Sequence, residues 1–486
     1  MNLADLLLAP AATSPDAVAL RHGDAAMSYA DLADAAARFA GRLVAEGVSP
    51  GDRVALTATN EPAFVVAYLA TLRAGGVAVP MNPQAPEPEL DRELAAIEPA
   101  MVLREGDVRA GPGDAAPADV VPRADDDLAV VLFTAGTAGH PKAPMLTHGN
   151  LAANIRQVLD HPGLRLRPED VALGVLPVFH VFGLNVSLGV TLAAGGALVL
   201  ADEFHAAPSL QIVREHAVTV VAGVPAMYAA WLALTETDAP PDAFASVRLA
   251  VSGAAALHPR VAAGFRERFG IAVYEGYGLT EAAPIVTTSA LGAGPPRAGS
   301  IGPPLPGLDV RLVDVDGADV LAGDPGEIWV RGPNVFPGYW RDQEATARAL
   351  TDDGWLRTGD IAVIDEEGEL RLVDRSKDLI IVSGFNVYPA EVEDVLREHP
   401  DIAEAAVVGE PNDRTGEAVV AFVVPQPGRA PTAPDLVGHC ARSLARYKCP
   451  ARVEVVDSLP RSFAGKVLRR ELRGDADLEQ GGRRLL

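Results

Sequence analysis

The sequence has little cysteine and little positive charge, and each shortage excludes a class of protein. Its two cysteines, Cys440 and Cys449, cannot build a disulfide framework or a four-thiolate metal site, so we expect a reducing, cytoplasmic location. Its 41 Lys and Arg residues face 65 Asp and Glu, for a net charge of −24. This charge argues against nucleic acid or an anionic membrane surface as a partner, so an anionic ligand needs a local positive site.

Long hydrophobic runs are also scarce. The exception, residues 171–201, contains no Lys, Arg, Asp or Glu, but Pro177, Asn185 and the pair Gly195-Gly196 interrupt it. These residues favour a strand, a turn, a helix and a second strand over a membrane span. The N-terminus carries Asp5 and a short apolar run instead of a basic patch and a long one, so we expect no targeting signal.

The 486 residues, of which 49% are hydrophobic, are enough to bury a large core. Short apolar runs alternate with Ala-rich helical patterns to about residue 300, which indicates βαβ units and parallel sheets. Gly and Pro turns with short alternating strands predict a small β-rich lobe over about 300–375. An αβ pattern restarts after it. We therefore predict an α/β fold with a large N-terminal domain, residues 1–375, and an α+β C-terminal domain, residues 376–486.

The segment from Val131 to Lys142 is the most informative part of the chain. An apolar strand runs into a Thr- and Gly-rich loop that ends in a lysine. Backbone N–H groups, hydroxyls and an ammonium can together surround the oxygens of a triphosphate. The segment lacks the Gly-Lys-Ser/Thr of a P-loop, and taken alone it is equally typical of an ordinary strand-to-helix turn.

Four further segments carry side chains suited to a nucleotide. Glycines flank Tyr277, whose ring could stack on a base, and Glu281 could bind magnesium. Asp360 follows a tight turn and could accept hydrogen bonds from ribose hydroxyls. The remaining two are the charged segment Val373 to Asp378, with the Gly-Phe loop after it, and the Gly-Lys segment within Leu459 to Leu472. Taken alone, the Asp360 segment is also typical of a turn, the charged segment of a linker and the Gly-Lys segment of a helix start.

Together and in this order, the five segments resemble the adenylate-forming superfamily of acyl-CoA synthetases, adenylation domains and luciferases. The likeness spans most of the chain and is greatest to fatty-acyl- and coumarate-type CoA ligases. It implies that ATP, Mg²⁺ and coenzyme A are used to convert a carboxylic acid to an acyl-adenylate and then to an acyl-CoA. It also implies a nucleotide site, formed by Thr134, Gly136, Thr137, Gly139, Lys142, Gly253, Ala254, Ala255, Tyr277, Gly278, Asp360 and Arg375.

The resemblance also implies roles in catalysis. Lys466 would lie between the carboxylate and the α-phosphate and stabilise the transition state of adenylate formation. Thr280 would touch the α-phosphate, Glu281 would bind magnesium, and His180 would border the acyl pocket and the thiol tunnel. A core histidine is the alternative for His180. The loop departs from the family pattern at Ala135, Ala138, Ala143 and Pro144, which predicts weaker ATP binding.

A mobile C-terminal lid is a further implication. Lys377 would be the hinge about which the lid rotates, so that Lys466 leaves the site and Gly384 and Phe385 line the pantetheine tunnel. We expect a fatty or aryl acid, because the residues around His180 are mostly apolar. A carrier-protein acceptor, an unusual oxyacid and a non-catalytic nucleotide-binding protein remain open at this point, and the sequence does not indicate an oligomeric state.

Overall fold

Short buried strands alternate with helices along the first three hundred residues. A computed structural model describes residues 1–134, 142–290, 296–297, 299–365, 368–375, 378, 380–382, 385–412, 415–444, 446–461 and 467–473. The predicted unit around Pro62 shows why the alternation forms. Proline at the first helical position suits the helix start. The residues from Phe64 to Leu72 are buried, and a strand precedes and follows the helix in the sequence.

The helices are mostly short and begin at proline or at a side-chain cap, as at Ser28, Thr147 and Thr432. They are α1 Leu3–Leu7, α2 Pro10–Thr13, α3 Tyr29–Ala45, α4 Pro62–Arg73, α5 Glu87–Ile97, α6 Glu105–Arg109, α7 His148–Asp160, α8 Thr191–Ala194, α9 Ala206–Glu215, α10 Pro225–Ala233, α11 Pro259–Phe269, α12 Gln343–Ala349, α13 Pro389–Arg397, α14 Ala433–Cys440 and α15 Arg469–Leu472. A π-helix spans Phe182–Val190, and 3₁₀ helices span Thr280–Ala282 and Arg446–Lys448.

The strands are mostly four to six residues long. They are β1 Val18–His22, β2 Ala25–Ser28, β3 Arg53–Thr57, β4 Val77–Pro80, β5 Met101–Arg104, β6 Leu128–Val131, β7 Met145–Thr147, β8 Val171–Gly174, β9 Ala197–Leu200, β10 Val220–Gly223, β11 Leu249–Ser252, β12 Val273–Gly278, β13 Ile285–Thr288, β14 Asp309–Val313, β15 Gly326–Arg331, β16 Leu356–Ile364, β17 Leu370–Arg375, β18 Ile380–Val382, β19 Phe385–Val387, β20 Ile402–Asn412, β21 Gly416–Pro425 and β22 Arg452–Val455.

Two largely parallel sheets dominate the larger of two compact units, which comprises Met1–Val310 and Trp329–Arg357. An eight-stranded sheet has the order β13-β12-β11-β10-β8-β9-β1-β2, with antiparallel pairs only at its two edges. A five-stranded sheet has the order β5-β3-β4-β6-β7, in which β7 is antiparallel. Parallel strands bring their carboxyl ends to one edge, where ligands of such sheets bind.

The smaller unit comprises Arg311–Ile328 and Thr358–Leu486. Its main sheet has the order β19-β18-β21-β20, with β22 paired to β21, and its core is formed by apolar residues of these strands with α13 and α14. A further sheet has the order β14-β15-β16-β17. The predicted fold class, an α/β N-terminal part with parallel sheets and a smaller β-containing C-terminal part, is confirmed. The boundary at 375/376 and the mobility of the lid stay predictions.

The uncharged run at 171–201 forms β8, the π-helix, α8 and β9. This is the strand, helix and strand order that its interrupting proline, asparagine and glycine residues predict. Both strands lie inside the eight-stranded sheet. In the described part of the chain, no helix combines the length and the apolar character needed to cross a membrane.

Candidate active site

The predicted phosphate loop is closed at its base by a pair of backbone hydrogen bonds. The N–H of Thr134 donates to the carbonyl of Lys142 at 2.9 Å, and the N–H of Lys142 donates to the carbonyl of Thr134 at 3.2 Å. The loop thus leaves and re-enters the structure at one point, beside the end of β6. Residues 135–141, which include the predicted ligands Gly136, Thr137 and Gly139, lie outside the described residues.

Lys142 and Glu281 meet at one tyrosine. The hydroxyl of Tyr339 donates to Oε1 of Glu281 at 2.7 Å, and Nζ of Lys142 lies 4.8 Å from the centroid of the Tyr339 ring. Burial and the adjacent carboxylate raise the pKa of the Tyr339 hydroxyl, which therefore stays a neutral donor. The structure thereby brings together the predicted phosphate-binding lysine and the predicted metal-binding glutamate, although 138 positions separate them in the sequence.

Three buried asparagines hold the turn that follows Glu281. Each donates a side-chain N–H to a backbone carbonyl of this turn. The bonds run from Asn154 to Ile285 at 2.8 Å, from Asn185 to Ala283 at 2.8 Å and from Asn334 to Ala282 at 2.6 Å. Since a buried carbonyl without a partner is costly, these amides fix the backbone on which Thr280 and Glu281 stand.

The carboxyl ends of β11 and β12 lie side by side and carry the residues predicted to bind adenine. Ser252 is paired with Glu275 across these parallel strands, which places Gly253 beside Gly276. A Cβ added at Gly253 would lie 3.1 Å from the ring of Phe182, so the glycine allows close contact of this ring with the strand end. The next residue, Ala254, has φ of +67°, a strained conformation for a non-glycine residue of the kind that clusters at functional sites.

Tyr277 and Gly278 are the last two residues of β12. Tyr277 is 7% exposed and Gly278 is exposed at the strand end. A Cβ added at Gly278 would lie only 2.1 Å from the carbonyl oxygen of Pro284, so packing within the chain requires a glycine here. Gly276, on the other side of Tyr277, has no such neighbour, since its nearest atom is the Thr287 oxygen at 3.5 Å.

Glu275 is a buried carboxylic acid that joins two loops of the site. Its Oε2 accepts the N–H of Leu257 at 3.0 Å, and the backbone of Gly299 also donates to it. Burial outweighs these hydrogen bonds and raises the pKa of Glu275 to about 7. The side chain therefore anchors the end of the loop that begins at Gly253 and titrates near neutral pH.

His180 lies before the π-helix with its Nε2 buried. Among the described residues, this nitrogen has no hydrogen-bond partner, and burial lowers the pKa of the ring to about 4. The ring of Phe179 lies 4.8 Å from it, centroid to centroid. His180 is therefore neutral at pH 7. Within the described ranges its Nε2 forms neither an ion pair nor a hydrogen bond, and a neutral imidazole beside an aromatic ring suits an apolar acyl group.

In the smaller unit, Asp360 and Arg375 are directly opposite each other on the antiparallel strands β16 and β17. Asp360 is 7% exposed, and its N–H donates to Oγ1 of Thr358 at 3.1 Å. Phe385 begins β19, where its backbone pairs with Val382. The strand register thus places the backbones of the two predicted ribose ligands opposite each other, and their binding of ribose stays a prediction.

The predicted hinge Lys377, tunnel residue Gly384 and catalytic Lys466 lie outside the described residues. Their flanking segments are held by ion pairs. Arg469, three residues after Lys466, contacts Glu393 at 2.8 Å and Asp378 at 3.5 Å. Asp378 follows the predicted hinge directly, so described ion pairs join the segments that carry the predicted hinge and the predicted catalytic lysine.

The donor set suits a magnesium ion that arrives with a nucleotide. Within the described ranges, no group of three or more His, Cys, Asp or Glu side chains could hold a metal ion. Mg²⁺ is commonly bound by one or two carboxylates together with substrate phosphates. Glu281 and Lys142, which both contact Tyr339, provide one carboxylate and one cation suited to phosphate. A metal held by the protein alone does not fit these residues.

Comparison with protein families decides the relationship. The model described as "AMP-binding enzyme" matches residues 8–340, and that described as "AMP-binding enzyme C-terminal domain" matches residues 391–466. The chain belongs to the AMP-binding enzyme family. The predicted superfamily is thereby confirmed over most of the sequence.

The relatives of this AMP-binding enzyme include CoA ligases of different acids. It is 40% identical over 481 residues to a feruloyl-CoA synthase of an Amycolatopsis species, covering 95% of this chain and 96% of the relative. It is 36% identical to a long-chain-fatty-acid–CoA ligase of Yersinia pestis, covering 92% and 90%. Among solved structures, ATP-bound MatB from Rhodopseudomonas palustris matches with a TM-score of 0.92 and 35% identity, covering 98% and 99%.

These likenesses confirm the prediction of an AMP-forming acid–thiol ligase that activates an acid with ATP and transfers the acyl group to CoA, and they do not favour the alternatives left open by the sequence. The sequence of this AMP-binding enzyme does not by itself indicate Tyr339 or the partners of Glu275. A signal for Tyr339 was available in the run Phe336 to Trp340, in which three aromatic residues surround a Pro-Gly pair. Nothing in the sequence alone indicated that the Leu257 N–H meets Glu275.

Proposed function

We propose that this AMP-binding enzyme is a CoA ligase for an aryl or fatty acid, with an aryl acid such as a hydroxycinnamate as the first candidate, and that it uses Mg²⁺ with ATP. The convergence of Lys142 and Glu281 at Tyr339 is the observation that carries the nucleotide half of this proposal. It supplies a cation for the polyphosphate and a carboxylate for its metal in one place. The apolar surroundings of His180 carry the acyl half.

The residues of the larger unit take the following roles in this proposal. Lys142 and the loop after Thr134 bind the β- and γ-phosphates, together with Gly136, Thr137 and Gly139. Adenine lies at the ends of β11 and β12, against Gly253, Ala254, Ala255, Tyr277 and Gly278. Thr280 donates to the α-phosphate, and Glu281 binds Mg²⁺, which when bound neutralises charge on the phosphates.

The residues of the smaller unit complete the proposal. Asp360 and Arg375 hold the ribose hydroxyls, which their register as direct neighbours supports. Lys466 stabilises the charge that develops as an oxygen of the acid attacks the α-phosphorus and pyrophosphate leaves. In the second step the CoA sulfur attacks the acyl carbon and AMP leaves. Lys377 serves as the hinge, and Gly384 and Phe385 approach the pantetheine arm.

The substrate class is inferred from aromatic and apolar side chains near His180. The rings of Phe179 and His180 form a tilted pair, and the ring of Phe182 lies against Gly253 at the strand end. Aromatic rings favour offset or edge contacts with one another, which supports an aryl acid. The feruloyl-CoA synthase and the long-chain-fatty-acid–CoA ligase among the relatives support the same two acid classes.

A cytoplasmic location is part of the proposal. Cys440 and Cys449 are both free thiols, and Cys440 is fully buried in the core of the smaller unit. Free cysteines are the rule in reducing compartments. Burial raises the pKa of the Cys440 thiol to about 11, so it stays protonated and unreactive.

The test is pyrophosphate release from ATP and Mg²⁺ over a panel of acids, each with and without coenzyme A. The panel runs from acetate to palmitate and includes cinnamates, ferulate and benzoates. We expect release that depends on both acid and coenzyme A, with cinnamates giving the highest kcat/KM. Release with an acid but without any effect of coenzyme A would indicate another acceptor, and maximal release with palmitate would assign the enzyme to fatty acids.

A further inference from the structure

Residues 336–340, here called the aromatic strap, lie against two parts of the site at once. The strap is paired by its backbone to the strand that leaves the phosphate loop and to the 3₁₀ helix that carries Glu281. Its hydrogen bonds run from Trp340 N–H to the Ala143 carbonyl at 2.8 Å, from Met145 N–H to the Gly338 carbonyl at 3.0 Å and from Phe336 N–H to the Glu281 carbonyl at 2.9 Å. The strap therefore has a fixed position relative to both Lys142 and Glu281.

Within the strap, Tyr339 is held on several sides. It is 6% exposed, and its backbone N–H donates to Oγ1 of Thr346 at 2.9 Å. The ring of Phe336 meets its ring edge to face, with centroids 4.9 Å apart. A buried tyrosine with these contacts has little rotational freedom, so its hydroxyl and its ring face are presented in defined directions.

The two ends of Tyr339 meet opposite charges. Its hydroxyl donates to the carboxylate of Glu281, and its ring face meets the ammonium of Lys142. Lys142 and Glu281 contact the same tyrosine, but among the ion pairs of the described residues none joins these two side chains. A direct ion pair would neutralise the two charges that a metal–phosphate ligand requires.

We propose that Tyr339 is a positioning residue that keeps Glu281 and Lys142 apart and in place for a metal-bound polyphosphate. The hydroxyl binds one carboxylate oxygen of Glu281 and leaves the other oxygen for the metal ion. The aromatic face holds the ammonium by a cation–π interaction that does not consume its charge. This inference rests on the function proposed above, and it assigns to the strap a role in metal–nucleotide binding.

The test is calorimetric binding of ATP, with and without Mg²⁺, in the absence of acid and coenzyme A. Tyr339→Phe removes the hydroxyl and keeps the ring. We expect it to reduce the gain in ATP affinity given by Mg²⁺ about tenfold, because one hydrogen bond to a charged group is lost. Metal-free ATP binding should change by less than about twofold, since the contact with Lys142 is kept. Tyr339→Leu removes both contacts and should weaken metal-free binding as well.

Tyr29→Phe is the matched control, because it also deletes a buried hydroxyl. The single hydroxyl hydrogen of Tyr29 is shared between the carbonyls of Leu192 at 3.1 Å and Gly196 at 2.8 Å. We expect this variant to lower the melting temperature without changing the increase in ATP affinity that Mg²⁺ gives. Tyr339→Phe decides the test if Tyr339→Leu does not fold.

Glu281→Gln separates this inference from the proposed function. If Glu281→Gln abolishes the Mg²⁺ gain while Tyr339→Phe keeps the full gain of the wild type, the role of Tyr339 is wrong and the proposed function stands. If the wild type binds ATP neither with nor without Mg²⁺, the proposed function is wrong, and the role of Tyr339 falls with it.

Discussion

Oε2 of Glu275 accepts a hydrogen bond from the backbone N–H of Leu257 at 3.0 Å, inside the larger unit and next to the strand end at Ser252. A buried carboxyl group here ties the strand that carries Tyr277 to the loop that begins at Gly253. Because burial raises the pKa of Glu275 to about 7, the group that accepts this hydrogen bond changes charge near neutral pH.

The raised pKa predicts a loss of stability with rising pH. An unfolded glutamate ionises near pH 4.5, whereas Glu275 in the folded protein stays protonated until about pH 7. Its contribution to stability is thus present below pH 4.5 and is lost as pH rises through 7, and the change is on the order of 3 kcal/mol. Glu275→Gln, which does not titrate, should flatten this fall between pH 5 and 8 in chemical denaturation. Glu236 is exposed, so Glu236→Gln provides the control, and equal slopes for the wild type and both variants would contradict the prediction.

The glycines on either side of Tyr277 predict opposite outcomes for the same substitution. Gly278→Ala would put a Cβ 2.1 Å from the Pro284 oxygen, so we expect a loss of about 3 kcal/mol in the free energy of unfolding. Gly276→Ala meets only the Thr287 oxygen at 3.5 Å and should change stability by less than about 1 kcal/mol. Denaturation of the two variants side by side checks this, and equal losses would show that the close approach at Gly278 is absent.

The asparagine contacts predict that the turn after Glu281 is stabilised by side-chain amides. Asn154 both donates to the carbonyl of Ile285 at 2.8 Å and accepts its N–H at 3.2 Å. Asn154→Ala should cost about 2 to 4 kcal/mol, because both backbone groups lose their partner in a buried place. Asn82→Ala, which removes one hydrogen bond to Gln84 in an exposed turn, should cost less than about 1 kcal/mol. Similar melting temperatures for both variants would count against the role of Asn154.

The two-reaction account predicts that substitutions in the C-terminal part separate the half-reactions. Lys466→Ala should abolish adenylate formation and leave thioester formation from a supplied acyl-adenylate largely intact, because the lysine acts only on the charge of the first step. Lys377→Pro should do the reverse by restricting the hinge. Pyrophosphate exchange measures the first step and acyl-CoA formation from the adenylate measures the second. Equal loss of both steps in both variants would rule out the assigned roles.

Much of the fold could be predicted because its signals are local. Pro62 and the apolar residues after it define a helix, and the strands on either side of it in the sequence are short, mostly apolar runs that contain valine. The same holds for the punctuated run 171–201. The nucleotide segments could be recognised as a set because their order along the chain is specific, although each segment alone was ambiguous.

The contacts within the site could not be predicted, because they join distant parts of the chain. Lys142, Glu281 and Tyr339 are brought together by a backbone path that no local pattern encodes. Likewise, Glu275 reads as a polar residue in a strand, and only the fold reveals that it is buried against Leu257. The arrangement of these residues depends on contacts between distant parts of the chain, which the residue types alone do not reveal.

The most direct test of the account is the product balance of one reaction. The wild-type protein is incubated with ATP, Mg²⁺, coenzyme A and the best acid of the panel, and AMP, ADP, pyrophosphate and acyl-CoA are quantified. The account predicts AMP, pyrophosphate and acyl-CoA in equal amounts, with no product when the acid is omitted. ADP with acyl-CoA, or AMP without any thioester, would contradict it.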